Sequence, residues 1–166
     1  MTIGLEPWIF EDAEILILGS FPSVKSLEQH MYYGNPRNQF WGIMESVFHC
    51  KIRQDETSRK AFLKKHKIGL WDVLASCDRE GSADNKITNE VPNDLEKLVK
   101  EHVKLKRIII NGLSTTAGSL KYFSKYHKNK SWQDKLDIVA VPQTSPMPSK
   151  YNLAEKIEMW NMAIRG

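Results

Sequence analysis

The sequence has little cysteine. Cys50 and Cys77 are the two in 166 residues, and they lie in unrelated contexts. No CxxC occurs and no His/Cys grouping has zinc-ligand spacing, which argues against a zinc module and against a disulfide-stapled scaffold. Two free thiols in a reducing compartment are expected. Long apolar runs are missing as well: nothing approaches the ~20 residues that a membrane span requires. The N-terminal MTIGLEPWIFEDAE has neither the basic start nor the apolar core of a signal peptide. A soluble, cytoplasmic protein is expected. No GxGxxG follows the first apolar strand, so a dinucleotide enzyme is disfavoured, and neither a metal nor a cofactor is expected. Charge of one sign is not in large excess. With 24 Lys+Arg against 20 Asp+Glu, the net charge of +4 permits binding to a polyanion without demanding it.

What is present is an ordinary globular balance, 41% hydrophobic and 27% charged, in a length that suits one domain spanning residues 1–166. Short apolar runs read as buried strands: Ile15–Leu18 before Gly19, Ile108–Ile110 before Asn111-Gly112, and Ile138–Val141 before Pro142, with Ile68–Val73 a weaker fourth. Helical spacing separates them. Phe40, Trp41, Met44, Val47 and Phe48 mark one helix. Leu95, Leu98, Val99 and Val103 mark a second, with Asn93 as its N-cap and Glu96 three residues on. Leu113, Ala117 and Leu120 mark a third. Leu153, Ile157, Trp160 and Ile164 share a face of the last, which Asn152 and Glu155 could open as a capping box. Strands alternating with helices predict a three-layer α/β/α sandwich around a mainly parallel four-stranded sheet, with ligands bound beyond the C-terminal strand ends.

Three segments follow apparent strand ends and should converge: 19–41, 111–116 and 142–149. The first holds GSFPS and YYGNPRNQFW. Its Gly, Pro and Asn content suits a structural turn, but Tyr32 and Tyr33 in a polar loop also suit stacking on a nucleobase. Asn111 could cap the next helix or read a base edge, since a carboxamide both donates and accepts. PQTSPMPS could be a rigid connector, or a wedge in which hydroxyls hold phosphates while an apolar side chain enters the base stack. The lysines 121, 125, 128 and 130 fit a solvated helix face and are not assigned to DNA.

GSFPS followed by YYGNPRNQFW resembles the DNA-deoxyinosine (hypoxanthine-DNA) glycosylases, a branch of the uracil-DNA glycosylase superfamily. The resemblance continues through GLWDVLASCDREGS, VPNDL, IIING and VPQTSP, nearly the whole chain. It implies a metal-free glycosylase of that fold. Mismatch-specific uracil glycosylases carry a water-positioning Asn in the first motif; Phe21 stands there here. In the hypoxanthine branch the role passes to the Asn before Phe-Trp, at the position of Asn38. Tyr33 matches the aromatic that stacks on the flipped base, and Asn111 matches the residue credited with contacting it. Gly19, Ser20, Phe21 and Gly112 are expected to line the base site. Many members have His before the proline of the first motif; Asn35 stands there here. VPQTSPMPS occupies the place of the minor-groove loop, without the His of classical uracil glycosylases, so neutral donors must stabilise the leaving base. Met147 is the implied wedge. Ser145 and Ser149 are the implied phosphate ligands, Arg37 is a phosphate candidate by its place in the first motif, and Ser23, Gln143 and Thr144 are further expected DNA contacts.

Chemically, N-glycosidic hydrolysis needs a positioned water, support for the departing base and a hold on the extruded nucleotide. A lyase step would need an amine nucleophile, and Lys25 is the sole lysine in the three segments. The expected activity is monofunctional excision of deaminated bases, hypoxanthine and also uracil, in base excision repair by a monomer. The alternatives are a mismatch-specific uracil/thymine glycosylase, which the Phe21 position opposes, and an inactive DNA-binding module of the same fold.

Overall fold

The structure, a computed structural model, describes residues 1–166. In chain order the elements are β1 (Thr2–Ile3), β2 (Ile15–Gly19), α1 (Val24–Gln29), α2 (Phe40–Phe48), α3 (Glu56–His66), β3 (Ile68–Asp72), β4 (Leu74–Asp78), β5 (Thr88–Pro92), α4 (Leu95–Glu101), β6 (Arg107–Asn111), α5 (Ser119–His127), β7 (Asp137–Val141) and α6 (Leu153–Arg165). β3, β2, β6 and β7 form a wholly parallel four-stranded sheet in that order.

The pleat explains why β2 is apolar throughout. Successive side chains face opposite sides of a sheet. Ile15 and Ile17 join the core built with Phe40, Trp41, Met44 and Leu63 of α2 and α3 and with Trp160 of α6. Leu16 and Leu18 join a second core with Leu95 and Leu98 of α4 and Tyr122 and Phe123 of α5. Two cores on two faces make the three layers expected from the strand–helix alternation. The capping box of α6 is present: the Asn152 side chain accepts from the Glu155 N–H at 2.8 Å, and the Glu155 carboxylate accepts from the Asn152 N–H at 3.0 Å.

Other expectations are corrected. The N-cap of α4 is Asp94, which accepts from the Lys97 N–H, because the Asn93 amide instead donates to the Asp72 carbonyl at 2.8 Å. Val103 lies beyond the end of α4 and is 85% exposed. Leu113 and Ala117 precede α5 rather than belonging to it. The Ser114 hydroxyl accepts from the Thr116 and Ala117 N–H groups, a local turn that competes with helix. Gly118 then opens α5 at φ 89°, where other residues are strained. Unanticipated elements are the helices α1 and α3 and a small antiparallel sheet of order β1-β4-β5. Its strands escaped notice because β5 is polar and exposed. No helix is long and apolar enough to cross a membrane.

Candidate active site

The three segments do converge, and one side chain ties them together. Asn111 is the last residue of β6 and is buried. Its Nδ2 donates to the Tyr33 hydroxyl at 3.2 Å and to Thr144 Oγ1 at 3.0 Å, while its Oδ1 accepts from the Thr144 N–H at 3.0 Å. Both amide hydrogens therefore point to protein partners, and Oδ1 keeps one lone pair for anything else. The Asn111 carbonyl accepts from Ser119 Oγ at 2.8 Å, and the next N–H, of Gly112, donates to the Val141 carbonyl.

Tyr33 has φ 54°, a left-handed backbone that is uncommon for an aromatic residue. The turn aims its ring at Phe40, on which it stacks at 4.1 Å with planes 18° apart. Burial, and then the Asp72 carboxylate, hold its phenol above the usual range, partly offset by the Asn111 amide. It is a neutral hydroxyl at any working pH. Tyr32 faces the other way. It is a core residue whose hydroxyl donates to the Glu6 carbonyl at 2.7 Å, so the tyrosine pair is not a shared exposed face.

Asn38 sits half-buried ahead of α2, and its Oδ1 accepts from the Phe40 N–H at 2.9 Å. That bond fixes the side chain at the helix start. The Gln39 N–H donates to the Thr144 carbonyl at 2.8 Å, joining this segment to the last loop. Behind the junction lies Lys156 of α6, only 3% exposed, whose Nζ donates to Gln39 Oε1 at 2.9 Å. Burial lowers its pKa. Trp160 of the same helix donates to the Pro142 carbonyl at 2.9 Å.

The model of the uracil DNA glycosylase superfamily matches residues 7–163. The chain is 41% identical over 110 residues to a protein of Methanosarcina barkeri named hypoxanthine DNA glycosylase, and 43% identical over 110 residues to one of the same name from Methanosarcina acetivorans. Each match covers 66% of this chain and 70% of the relative. A solution NMR structure of a Methanosarcina acetivorans protein, described as a candidate uracil DNA glycosylase, superposes with a TM-score of 0.77 at 33% identity, over 98% of this chain and 96% of that one. This chain belongs to the uracil DNA glycosylase superfamily.

Within that superfamily fold the remaining motif residues separate into groups. Gly19 and Ser20 lie at the end of β2, beside Asn111. Phe21 is turned inward, packed in the second core and under the Arg79 guanidinium, so its ring belongs to the scaffold of the first motif. Ser23 caps α1, accepting from the Ser26 N–H at 3.2 Å. Arg37 is exposed. In the last loop Thr144 is buried and Gln143 half-buried, whereas Met147 is 57% exposed at the tip. The Ser145 hydroxyl is buried without a partner, and Ser149 Oγ accepts from the Tyr151 N–H.

Two carboxylates were missed. Asp72 ends β3 directly beside Gly19, and it is 6% exposed. A Cβ at Gly19 would lie 2.5 Å from Asp72 Oδ1 and 3.5 Å from the Tyr33 hydroxyl oxygen, so only glycine lets these groups approach. Asp84 accepts from Ser20 Oγ at 2.7 Å. Burial pushes the Asp72 carboxyl up to about 7, Asp84 adding to the rise and Arg79 opposing it. Burial also raises Asp84, against the Ser20 bond and Arg79. The one sequence signal was a charged residue closing an otherwise apolar strand, Ile68-Gly69-Leu70-Trp71-Asp72.

Proposed function

We propose that this chain is a monofunctional DNA glycosylase that releases hypoxanthine, with uracil as a second substrate, acting as a single-domain cytoplasmic monomer in base excision repair. The observation that carries the reading is the Asn111 junction: it gathers the tyrosine loop, the β6 end and the last loop at one site in a chain of this superfamily. The relatives named hypoxanthine DNA glycosylase support the choice of base.

In this reading the damaged nucleotide leaves the duplex at a cost of a few kcal/mol, lower at a mispair. Stacking against Tyr33 returns about 1–3 kcal/mol. Met147 fills the vacated space, while Ser23, Arg37, Gln143, Ser145 and Ser149 contact the DNA strand. Asn38 orients a water toward C1′. The C1′–N bond breaks with its electron pair leaving on the base, the sugar becomes cation-like, and the water adds to C1′ and loses a proton that passes through solvent to the departing base. An amide is no strong base, but a cationic sugar needs orientation of the water more than its deprotonation. Asn111 offers its remaining Oδ1 lone pair to an N–H of the base. Gly19, Ser20 and Gly112 line the base site around it, and Thr144 holds Asn111 and the last loop in place.

The test is alkali cleavage of end-labelled duplexes carrying one hypoxanthine or one uracil, with the Asn38→Ala protein alongside. Cleavage at hypoxanthine is expected, falling by about a hundredfold or more in the variant while DNA binding persists. An Asn38→Ala protein with full activity removes that role. Cleavage at uracil alone overturns the substrate, and cleavage at neither points to a binding module.

A further inference from the structure

The Asn111 amide is bonded through both its hydrogens and its oxygen, but the carboxyl on the opposite flank of Gly19 is not. The sheet order β3-β2-β6 sets the strand ends Asp72, Gly19 and Asn111 side by side, and the middle residue has no side chain. The result is a notch with a carboxyl on one wall and a carboxamide on the other, bordered by the Tyr33 hydroxyl. Asp72 Oδ1 is the oxygen at the notch, and Oδ2 of the same carboxyl is fully buried and has no hydrogen-bond partner. A carboxyl buried in this way costs free energy in the empty protein, and Oδ1 is the oxygen that a ligand at the notch would meet.

The charged and titratable groups facing Asp72 are few. Asp84 repels its ionised form, Arg79 favours it, and Tyr32 and Tyr33 are neutral phenols. No cation pairs with it; Arg79 donates instead to the Pro22 and Gly81 carbonyls. Such an environment keeps a carboxylic acid neutral near neutrality, and a neutral acid can donate a hydrogen bond.

We propose that Asp72 is a base-facing specificity residue whose neutral carboxyl donates a hydrogen bond to the carbonyl oxygen of the flipped base. The inference rests on the glycosylase reading above and deepens it. Hypoxanthine and uracil share a lactam edge, a C=O beside an N–H. The notch presents a matching pair, the Asp72 O–H for the carbonyl and the free Oδ1 lone pair of Asn111 for the N–H. The bond to the carbonyl also draws electron density from the ring as the C1′–N bond breaks, which replaces part of what a histidine in the last loop would provide.

The test is the single-turnover rate of hypoxanthine release from pH 5 to 9, for wild type, Asp72→Asn and Asp72→Ala. An amide donates at every pH, so Asp72→Asn is expected to keep at least about a tenth of the wild-type rate and to lose its pH dependence. The wild-type rate is expected to fall as pH rises through about 7, and Asp72→Ala to run roughly tenfold to a hundredfold slower at low pH. A rate that rises with pH and vanishes in Asp72→Asn makes Asp72 a proton acceptor and overturns the proposal, as do identical profiles for wild type and Asp72→Asn. Fluorescence anisotropy with the same duplex, against one without the lesion, separates this inference from the activity. If no base is released, the reading of function fails. Preferential binding that weakens above pH 7 only in wild type would still support Asp72 as a base contact, and binding without that dependence would overturn it.

Discussion

The two flanks of Gly19 contrast in how they satisfy their polar atoms. On the β6 side, three hydrogen bonds of 3.2 Å or less join Asn111 to Thr144 and Tyr33 and use both hydrogens of its amide. On the β3 side, a buried carboxyl has an oxygen with no partner. Both flanks stand at the C-terminal ends of neighbouring parallel strands, so topology alone does not separate them. The closed flank is rigid before any ligand arrives and contributes to stability. The open flank costs stability and holds unused bonding capacity, as sites that respond to ligand do.

The contrast breaks most severely if Asn111 becomes Ala. Thr144 and Tyr33 then lose three hydrogen bonds in a buried setting, and unsatisfied groups there cost roughly 1–3 kcal/mol apiece before relaxation. Asn111→Ala should unfold about 3 kcal/mol more easily, read from the urea midpoint, with base release at background. A midpoint equal to wild type would mean that the closed flank contributes nothing.

Asp72→Asn should do the opposite. Below about pH 4 the carboxyl is protonated whether folded or not. Between there and about 7 the unfolded chain loses the proton while the folded one keeps it, so folding is progressively disfavoured, and above about 7 the penalty is constant. The rise from 3.8 to about 7 corresponds to a ceiling of about 4 kcal/mol. The amide has its own desolvation cost, which leaves an expected gain of about 2 kcal/mol above pH 7. In thermal melts across pH, the Tm advantage of Asp72→Asn should grow from pH 4 to 7 and then level off. A constant offset would sink the assignment of a neutral acid.

Tyr33→Phe sharpens the comparison by removing one bond from the closed flank while keeping the Phe40 stack. A loss of about 1 kcal/mol is expected, and base release should slow by less than about tenfold; a larger fall would assign the hydroxyl a direct part in the chemistry. Met147→Ala touches neither flank. Its side chain is exposed, so stability should stay within about 0.5 kcal/mol. Release from duplex DNA should nonetheless slow relative to release from a single strand, the signature of a lost wedge.

The sandwich was legible because the apolar strands β2 and β6 and the helical faces of α2 and α6 repeat at periods that burial imposes. Elements without that imprint were not. The exposed β5, the largely polar α3 and the late start of α5 depend on turns and tertiary neighbours rather than periodicity. Convergence of the site segments could be read from their places after strand ends. The orientation of the side chains could not: Tyr32 and Tyr33 are adjacent, and only the left-handed turn at Tyr33 sends them apart. Asp72 was hidden for a related reason. A carboxylate at a strand end is ordinary in sequence, and it becomes unusual only when the fold leaves it buried without a partner.

The brace on the site has a consequence for synthesis. The tyrosine loop emerges early in translation, but the lysine and tryptophan that hold its end and the last loop lie on α6, and the Lys156–Gln39 bond spans 117 residues of chain. A fragment ended at Ser149 is therefore expected to release no base in the alkali-cleavage assay. A nascent chain exposes the tyrosine loop, proposed to bind the base, long before the brace that holds it is made, and α6 completes the site.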